Sequence, residues 1–239
     1  MGEHGKYRSL VRTGIIAACG MIAAPAEACR LALVLAMDVS SSVDDTEDML
    51  QRNGLAAALL SPQVQDAFFI SPDPVALQVF EWSGRGHQTD IVEWMIIRTP
   101  NDLAVVAEKL TNSIRNARGL PTAMGHALAY ASMKLQAAPP CLFQTIDMAG
   151  DGVNNAGFGP DSVYATFPFD GVTVNGLVIT DSDDAALGYY ADQVIRGPLA
   201  FVEIAKDFTD FEAAMQRKLI RELASQIIGR AMNQNGAQG

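Results

Sequence analysis

Three short polar clusters hold the side chains best suited to chemistry in this sequence: Asp38-Val39-Ser40-Ser41-Ser42, Thr122, and Asp151-Gly152. Hydroxyl and carboxylate oxygens are hard donors, which suit Mg²⁺, Mn²⁺ or Ca²⁺ better than zinc. Alternate residues of an extended segment point the same way, so Ser40 and Ser42 can both reach one ion with Asp38 behind them. If the nearest donors are neutral hydroxyls and the carboxylates act through water, a bound cation stays short of negative charge. It then draws in a carboxylate from another molecule. That is a binding chemistry, not a catalytic one.

The elements that must position these clusters follow from hydrophobic patterning. Residues 31–37 form a continuous apolar run ending in Asp38, as expected of a parallel strand buried on both faces. Residues 45–60 read as a helix, with Asp44, Asp45, Glu47 and Asp48 at its positive end. Strands are predicted at 75–82 and 89–97, and the short Gly-containing connection 83–88 marks a hairpin, so one of the two is antiparallel. His87, in that turn, is expected to be exposed and far from the ion. Helices are predicted at 101–110 and 122–135, the second opening at Thr122 behind Gly119-Leu120-Pro121. A strand at 141–148 leads into Gly150-Asp151-Gly152. An irregular stretch rich in Gly, Pro and Phe separates it from a strand at 172–179, and 200–205 makes a last short strand. Phe211, Met215, Leu219, Leu223 and Ile227 recur every four residues, the core-facing stripe of a closing helix. This alternation predicts an α/β fold, doubly wound, with a mostly parallel six-stranded sheet, one antiparallel edge strand, and helices on both faces. Ligands of such sheets sit beyond the carboxyl ends of the strands, near the point where strand order reverses. The three clusters fall at such ends.

The chain has 239 residues, 49% of them hydrophobic, and no linker or repeat that would divide it, which is the profile of one domain. Its formal charge of −10, without any basic cluster, repels phosphate backbones and excludes nucleic acid as a partner. Residues 1–28 read as a signal peptide: Lys6, Arg8 and Arg12 precede a short apolar stretch, and Ala26-Glu27-Ala28 offers small residues for cleavage before Cys29. The apolar stretch is shorter than the roughly 20 residues that span a bilayer. The expectation is a bacterial periplasmic or secreted protein, with no stable membrane insertion after cleavage. Residues 29–231 are then the domain and 232–239 a disordered tail. Cleavage leaves Cys29 and Cys141, which read equally as a disulfide of an oxidising compartment or as two small buried thiols.

Asp-x-Ser-x-Ser after the first apolar strand, a Thr opening a mid-chain helix, and Asp-Gly after a later strand together resemble the metal-ion-dependent adhesion site of von Willebrand factor type A domains. The resemblance covers roughly residues 29–230. The stretches LALVLAMDVSSSVD and IDMAGDGVNN look especially like an uncharacterised family of secreted bacterial proteins with this domain. The resemblance implies that Asp38, Ser40, Ser42, Thr122 and Asp151 hold one divalent cation, magnesium foremost, with manganese or calcium as alternatives. It further implies a protein partner whose Asp or Glu carboxylate completes the coordination. The pattern departs from the wider family at Ala149-Gly150, where an apolar residue or Thr usually stands. In that fold the first and fourth strands are parallel neighbours, so Cys29 and Cys141 open adjacent strands at the edge opposite the metal. Neighbouring strands lie about 4.8 Å apart, which suits a disulfide.

Other residues near the clusters have two readings each. Asn154 and Asn155 either orient the Asp151 carboxylate or simply form a turn. His126, one helical turn beyond Thr122, either faces the site or is structural. Asp181, in the acidic run after the strand at 172–179, either tunes the ion or belongs to a solvated helix cap. The rival from another class is a magnesium-dependent hydrolase or phosphatase with Asp38 at its active site. Such enzymes place a second carboxylate two residues on, where Ser40 stands here, and no Lys follows at a plausible later strand end. No Gly-x-Ser-x-Gly elbow is present, and no His obviously pairs with Ser40, Ser41 or Ser42. A binding protein, not an enzyme, is the expectation.

Overall fold

The structure, a computed structural model, describes residues 1–2, 29–180 and 185–236, with side chains described up to residue 224. The expected signal segment and Asp181 lie outside the described residues. Six strands, β1 (Cys29–Asp38), β2 (Val75–Trp82), β3 (Gln88–Ile97), β4 (Cys141–Gly150), β5 (Val172–Ile179) and β6 (Val202–Ala205), form one sheet in the order β3-β2-β1-β4-β5-β6. Only β3, at one edge, runs antiparallel. Strand order reverses beside β1, so the polar ends of β1 and β4 meet at the switch point.

β1 has an unbroken apolar run because it lies mid-sheet with all ten residues buried. Leu31, Leu33, Leu35 and Met37 pack into one core under α1 (Asp45–Leu60), α3 (Pro100–Asn112) and α7 (Phe211–Gly236). Ala32, Val34 and Ala36 face the other core, under α4 (Met124–Gln136). Each leucine so enclosed contributes about 1.5–3 kcal/mol. Asp44 caps α1 by accepting from the amides of Thr46 and Glu47, and the Asp44 amide donates in return to Glu47 Oε2. This capping box fixes where the loop after β1 ends.

Three short α-helices have no counterpart in the sequence reading, α2 (Pro62–Phe69), α5 (Pro160–Thr166) and α6 (Ala185–Tyr189), the last passing into a π-helical turn at Tyr190–Val194; a 3-10 turn at Phe208–Asp210 was not expected either. Several boundaries also differ: α3 and β4 end two residues later than expected and β6 starts two residues later. α4 opens at Met124, not at Thr122, because the Thr122 backbone is committed elsewhere: its amide donates to Asn155 Oδ1 and its carbonyl accepts from the Asn155 amide. α7 continues to Gly236, so the tail expected from residue 232 begins as helix, each added residue closing one more backbone bond. The β2–β3 turn is also not remote from the proposed site. β2 is parallel to β1 and Trp82 pairs with Asp38, which brings the turn to the same end of the sheet. There the Ser83 carbonyl accepts from the Ala123 amide.

At the opposite end, Cys29 and Cys141 face each other in register and form a disulfide, with Cα atoms 4.4 Å apart and a sequence separation of 112. Among the described residues, no helix is long and apolar enough to cross a membrane.

Candidate metal centre

The five residues singled out in the sequence come together at the carboxyl ends of β1 and β4. Asp38, the last residue of β1, is fully buried, and its Oδ1 accepts from the Ser40 amide at 2.8 Å. That bond curls the loop so that the Ser40 and Ser42 hydroxyls lie 3.3 Å apart. Thr122 Oγ1 donates to Ser40 Oγ at 3.1 Å, and Ser42 Oγ donates to Asp151 Oδ1 at 2.8 Å. Three hydroxyls and two carboxylates from three separate segments thus form one continuous oxygen cluster.

Charge within the cluster is poorly compensated by the protein alone. Burial pushes the Asp38 carboxyl up to about 8, and the neighbouring charge of Asp151 pushes the same way; the Ser40 hydrogen bonds and the Arg115 charge oppose it more weakly. Asp38 Oδ2 is buried with no hydrogen-bond partner among the described residues, and an unmet buried carboxylate oxygen is costly. The described residues contain no group of three or more His, Cys, Asp or Glu side chains that could hold a metal. The oxygens brought together, three hydroxyls and two carboxylates, are hard donors of the kind that suit a small divalent cation.

Gly150 accounts for the departure from the family pattern before Asp151. A Cβ at that position would stand 2.8 Å from the Tyr190 hydroxyl and 2.9 Å from Asp38 Oδ2, so only glycine lets β4 pass between them. Asp151 nevertheless reaches Ser42. Tyr190, fully buried, also fills the space over Gly176, and burial holds its hydroxyl well above the usual phenol range.

Asn155 serves Thr122 rather than Asp151, through the paired bonds given above, and Asn154 Oδ1 accepts a long bond of 3.4 Å from the Gly125 amide at the start of α4. The two asparagines thus join the loop after β4 to the segment bearing Thr122. The His126 ring stacks on Phe158 with centroids 4.1 Å apart; burial, and then the Arg85 charge, lower its pKa. Among the described residues, its ring packs on that loop at Gly157 and Phe158. Three further residues were not singled out from the sequence. Gln51 donates to the Asp38 carbonyl at 2.9 Å, and its spacing with Leu55 and Leu59 on α1, polar on an otherwise buried face, was a readable signal. Tyr190 and Arg115 belong to segments without periodicity and carried no such signal.

This domain has the architecture of a von Willebrand factor type A-like α/β fold. Its fold is matched by proximal thread matrix protein 1 from the mussel byssus, at 15% identity and a TM-score of 0.58, over 82% of this chain and 48% of that one. A von Willebrand factor type A protein from Catenulispora acidiphila matches at 15% identity and 0.54, over 82% and 43%. The PilB minor pilin from Streptococcus sanguinis matches at 13% and 0.55, over 83% and 61%. The chain spans about half the length of these proteins. In another structure of the mussel protein, the metal-ion-dependent adhesion motif is occupied by zinc. No curated protein matches in sequence. The chain belongs to the family of proteins of unknown function DUF1194, whose pattern matches residues 28–227.

Proposed function

We propose that this domain binds one divalent cation through Asp38, Ser40, Ser42, Thr122 and Asp151, and through it holds a carboxylate of a partner protein outside the cytoplasm. The observation that carries this reading is the oxygen cluster itself: the hydroxyls of Thr122, Ser40 and Ser42 are bonded in series to Asp151, Asp38 holds the Ser40 amide, and Asp38 Oδ2 lacks a partner among the described residues. Bound there, a divalent cation, magnesium foremost, supplies an electrophilic position that a partner's Asp or Glu oxygen can take. The serine and threonine hydroxyls contribute no charge of their own, so the site favours an anionic ligand from outside. The structural neighbours include a pilus adhesin, a pilin and a matrix protein, which supports an adhesive role. The disulfide fits an oxidising compartment, as expected if residues 1–28 direct export.

An enzymatic role is disfavoured by the setting of Asp38, which is fully buried and held by the Ser40 amide, with no acid or base at position 40. The test is titration calorimetry of the EDTA-treated chain with Mg²⁺, Mn²⁺, Ca²⁺ and Zn²⁺, followed by pull-down from an exported fraction in Mg²⁺ or EDTA. One-to-one uptake that Asp38→Ala abolishes while the fold persists is expected, with capture of partners only in Mg²⁺. Absence of uptake refutes the reading. Phosphatase or esterase turnover lost in Asp38→Asn replaces it with the hydrolase.

A further inference from the structure

We propose that Arg115 is the positioning residue of the cation site: its guanidinium sets the loop 39–43 in the shape that turns Ser40 and Ser42 toward Thr122 and Asp151. This inference rests on the cation reading above. Arg115 lies in the irregular connection between α3 and α4, where an arginine ordinarily extends into water, yet it is 6% exposed. Every nitrogen of its head group donates to a backbone carbonyl. Nη2 donates to Val39 at 2.5 Å and to Ser40 at 2.8 Å, Nη1 to Val43 at 2.7 Å, and Nε to Ala117 in its own segment at 2.8 Å. The three carbonyls of Val39, Ser40 and Val43 bracket the hydroxyls of Ser40 and Ser42. The same connection supplies Thr122, and its Leu120 carbonyl accepts from the Ser41 amide at 2.8 Å. One segment therefore delivers one candidate ligand and clamps the loop that delivers two others.

The shape of the head group, not its charge, explains this placement. A positive charge beside a cation site opposes the ion. Among the described residues, the nearest carboxylate across from Arg115, that of exposed Asp45, is 4.0 Å away, so no close ion pair there accounts for burying it. A planar fork with five fixed donors can hold several divergent carbonyls at once; a lysine ammonium on a flexible stem cannot. The clamp needs no ion in place, so the loop should be ordered before the cation arrives.

The experiment has three arms. Amide hydrogen exchange of the EDTA-treated wild-type chain should find Ser40, Ser41 and Val43 protected well beyond free-peptide rates. Calorimetry with Mn²⁺ should find Arg115→Lys and Arg115→Met each weakened by about 10–100-fold, the range seen when groups that orient metal ligands are removed. In both variants β1 amides should stay protected as in wild type while those of 39–43 do not. Arg118→Gln, in the same connection as Arg115, removes an exposed ion pair with Asp45 at the start of α1 and should bind as wild type. Affinities within about twofold of wild type overturn the role of Arg115. So does tighter binding by Arg115→Met with Arg115→Lys unchanged, because the effect would then be charge alone. If neither variant folds, the wild-type exchange decides: rapidly exchanging loop amides in EDTA overturn the clamp. Lack of Mn²⁺ uptake by wild type overturns the cation reading, and this role with it; uptake by wild type and both variants alike overturns only the role.

Discussion

Replacing Gly150 by alanine isolates the narrowest point of the site. The added methyl carbon would stand 2.8 Å from the Tyr190 hydroxyl oxygen, 2.9 Å from Asp38 Oδ2 and 3.0 Å from Asp38 Cβ. Neither neighbour can swing into solvent, since both are fully buried and Asp38 is tied to the Ser40 amide. Overpacking of this kind costs about 1–3 kcal/mol, and with contacts on two sides the upper half of that range applies. With a slope of about 2–3 kcal/mol per molar urea, the unfolding midpoint of the EDTA-treated variant should fall by about 1 M. Tyr190→Phe alone should change stability by less than about 1 kcal/mol, because the hydroxyl it removes has no hydrogen-bond partner among the described residues. Combined with Gly150→Ala it should restore about 1 kcal/mol, the coupling of two groups in direct contact, and leave the Asp38 part of the clash in place. A Gly150→Ala chain as stable as wild type, or strict additivity in the double variant, refutes this account of the departure before Asp151.

Removing the disulfide with Cys29→Ala and Cys141→Ala opens a loop closed across 112 residues; the chain-entropy relation puts the loss at about 5 kcal/mol, and a urea midpoint unchanged from wild type would contradict it. Stability should also depend on pH through Asp147, which is buried with Lys218 at 2.9 Å and Glu222 beyond it. Burial pushes this carboxyl up to about 7, with the Glu222 charge adding to the rise and Lys218 opposing it. The folded chain then keeps a proton that the unfolded chain releases near its ordinary value of about 4. Between about pH 4 and 7 the folded state binds more protons, so this group's contribution to stability falls as pH rises through that window and levels off above it. Asp147→Asn should flatten the urea midpoint's slope there, and an unchanged slope would refute the assignment.

The sheet and the oxygen cluster were legible because both rest on strong local signals. The apolar run of β1 ends at a buried Asp followed by alternating serines, and such a run has few alternatives to a central strand. Short helices were not legible: α2 has eight residues and α5 seven, too few turns for a stripe to stand out from a Pro-rich connection. The start of α4 was misplaced because Thr122 exchanges backbone bonds with Asn155, a partner 33 residues away. α7 read as a plain apolar stripe, yet Lys218 and Glu222 are also buried, one position before Leu219 and Leu223. Their partners, Asp147 on β4 and Asn175 on β5, are distant in sequence. An aspartate inside a strand was the one local hint. Arg115 shows the same limit: a loop arginine takes its role from carbonyls more than 70 residues away.

The bridge between Cys29 and Cys141 also bears on how fast the fold assembles. Pairing β1 with β4 is among the most non-local steps in this sheet, and chains dominated by distant pairings fold slowly because the connecting segment must close first. An oxidised chain that unfolds keeps these two central strands tethered at their first residues. The search that would otherwise limit its return has already been made. Refolding after a transient opening then begins from the middle of the sheet.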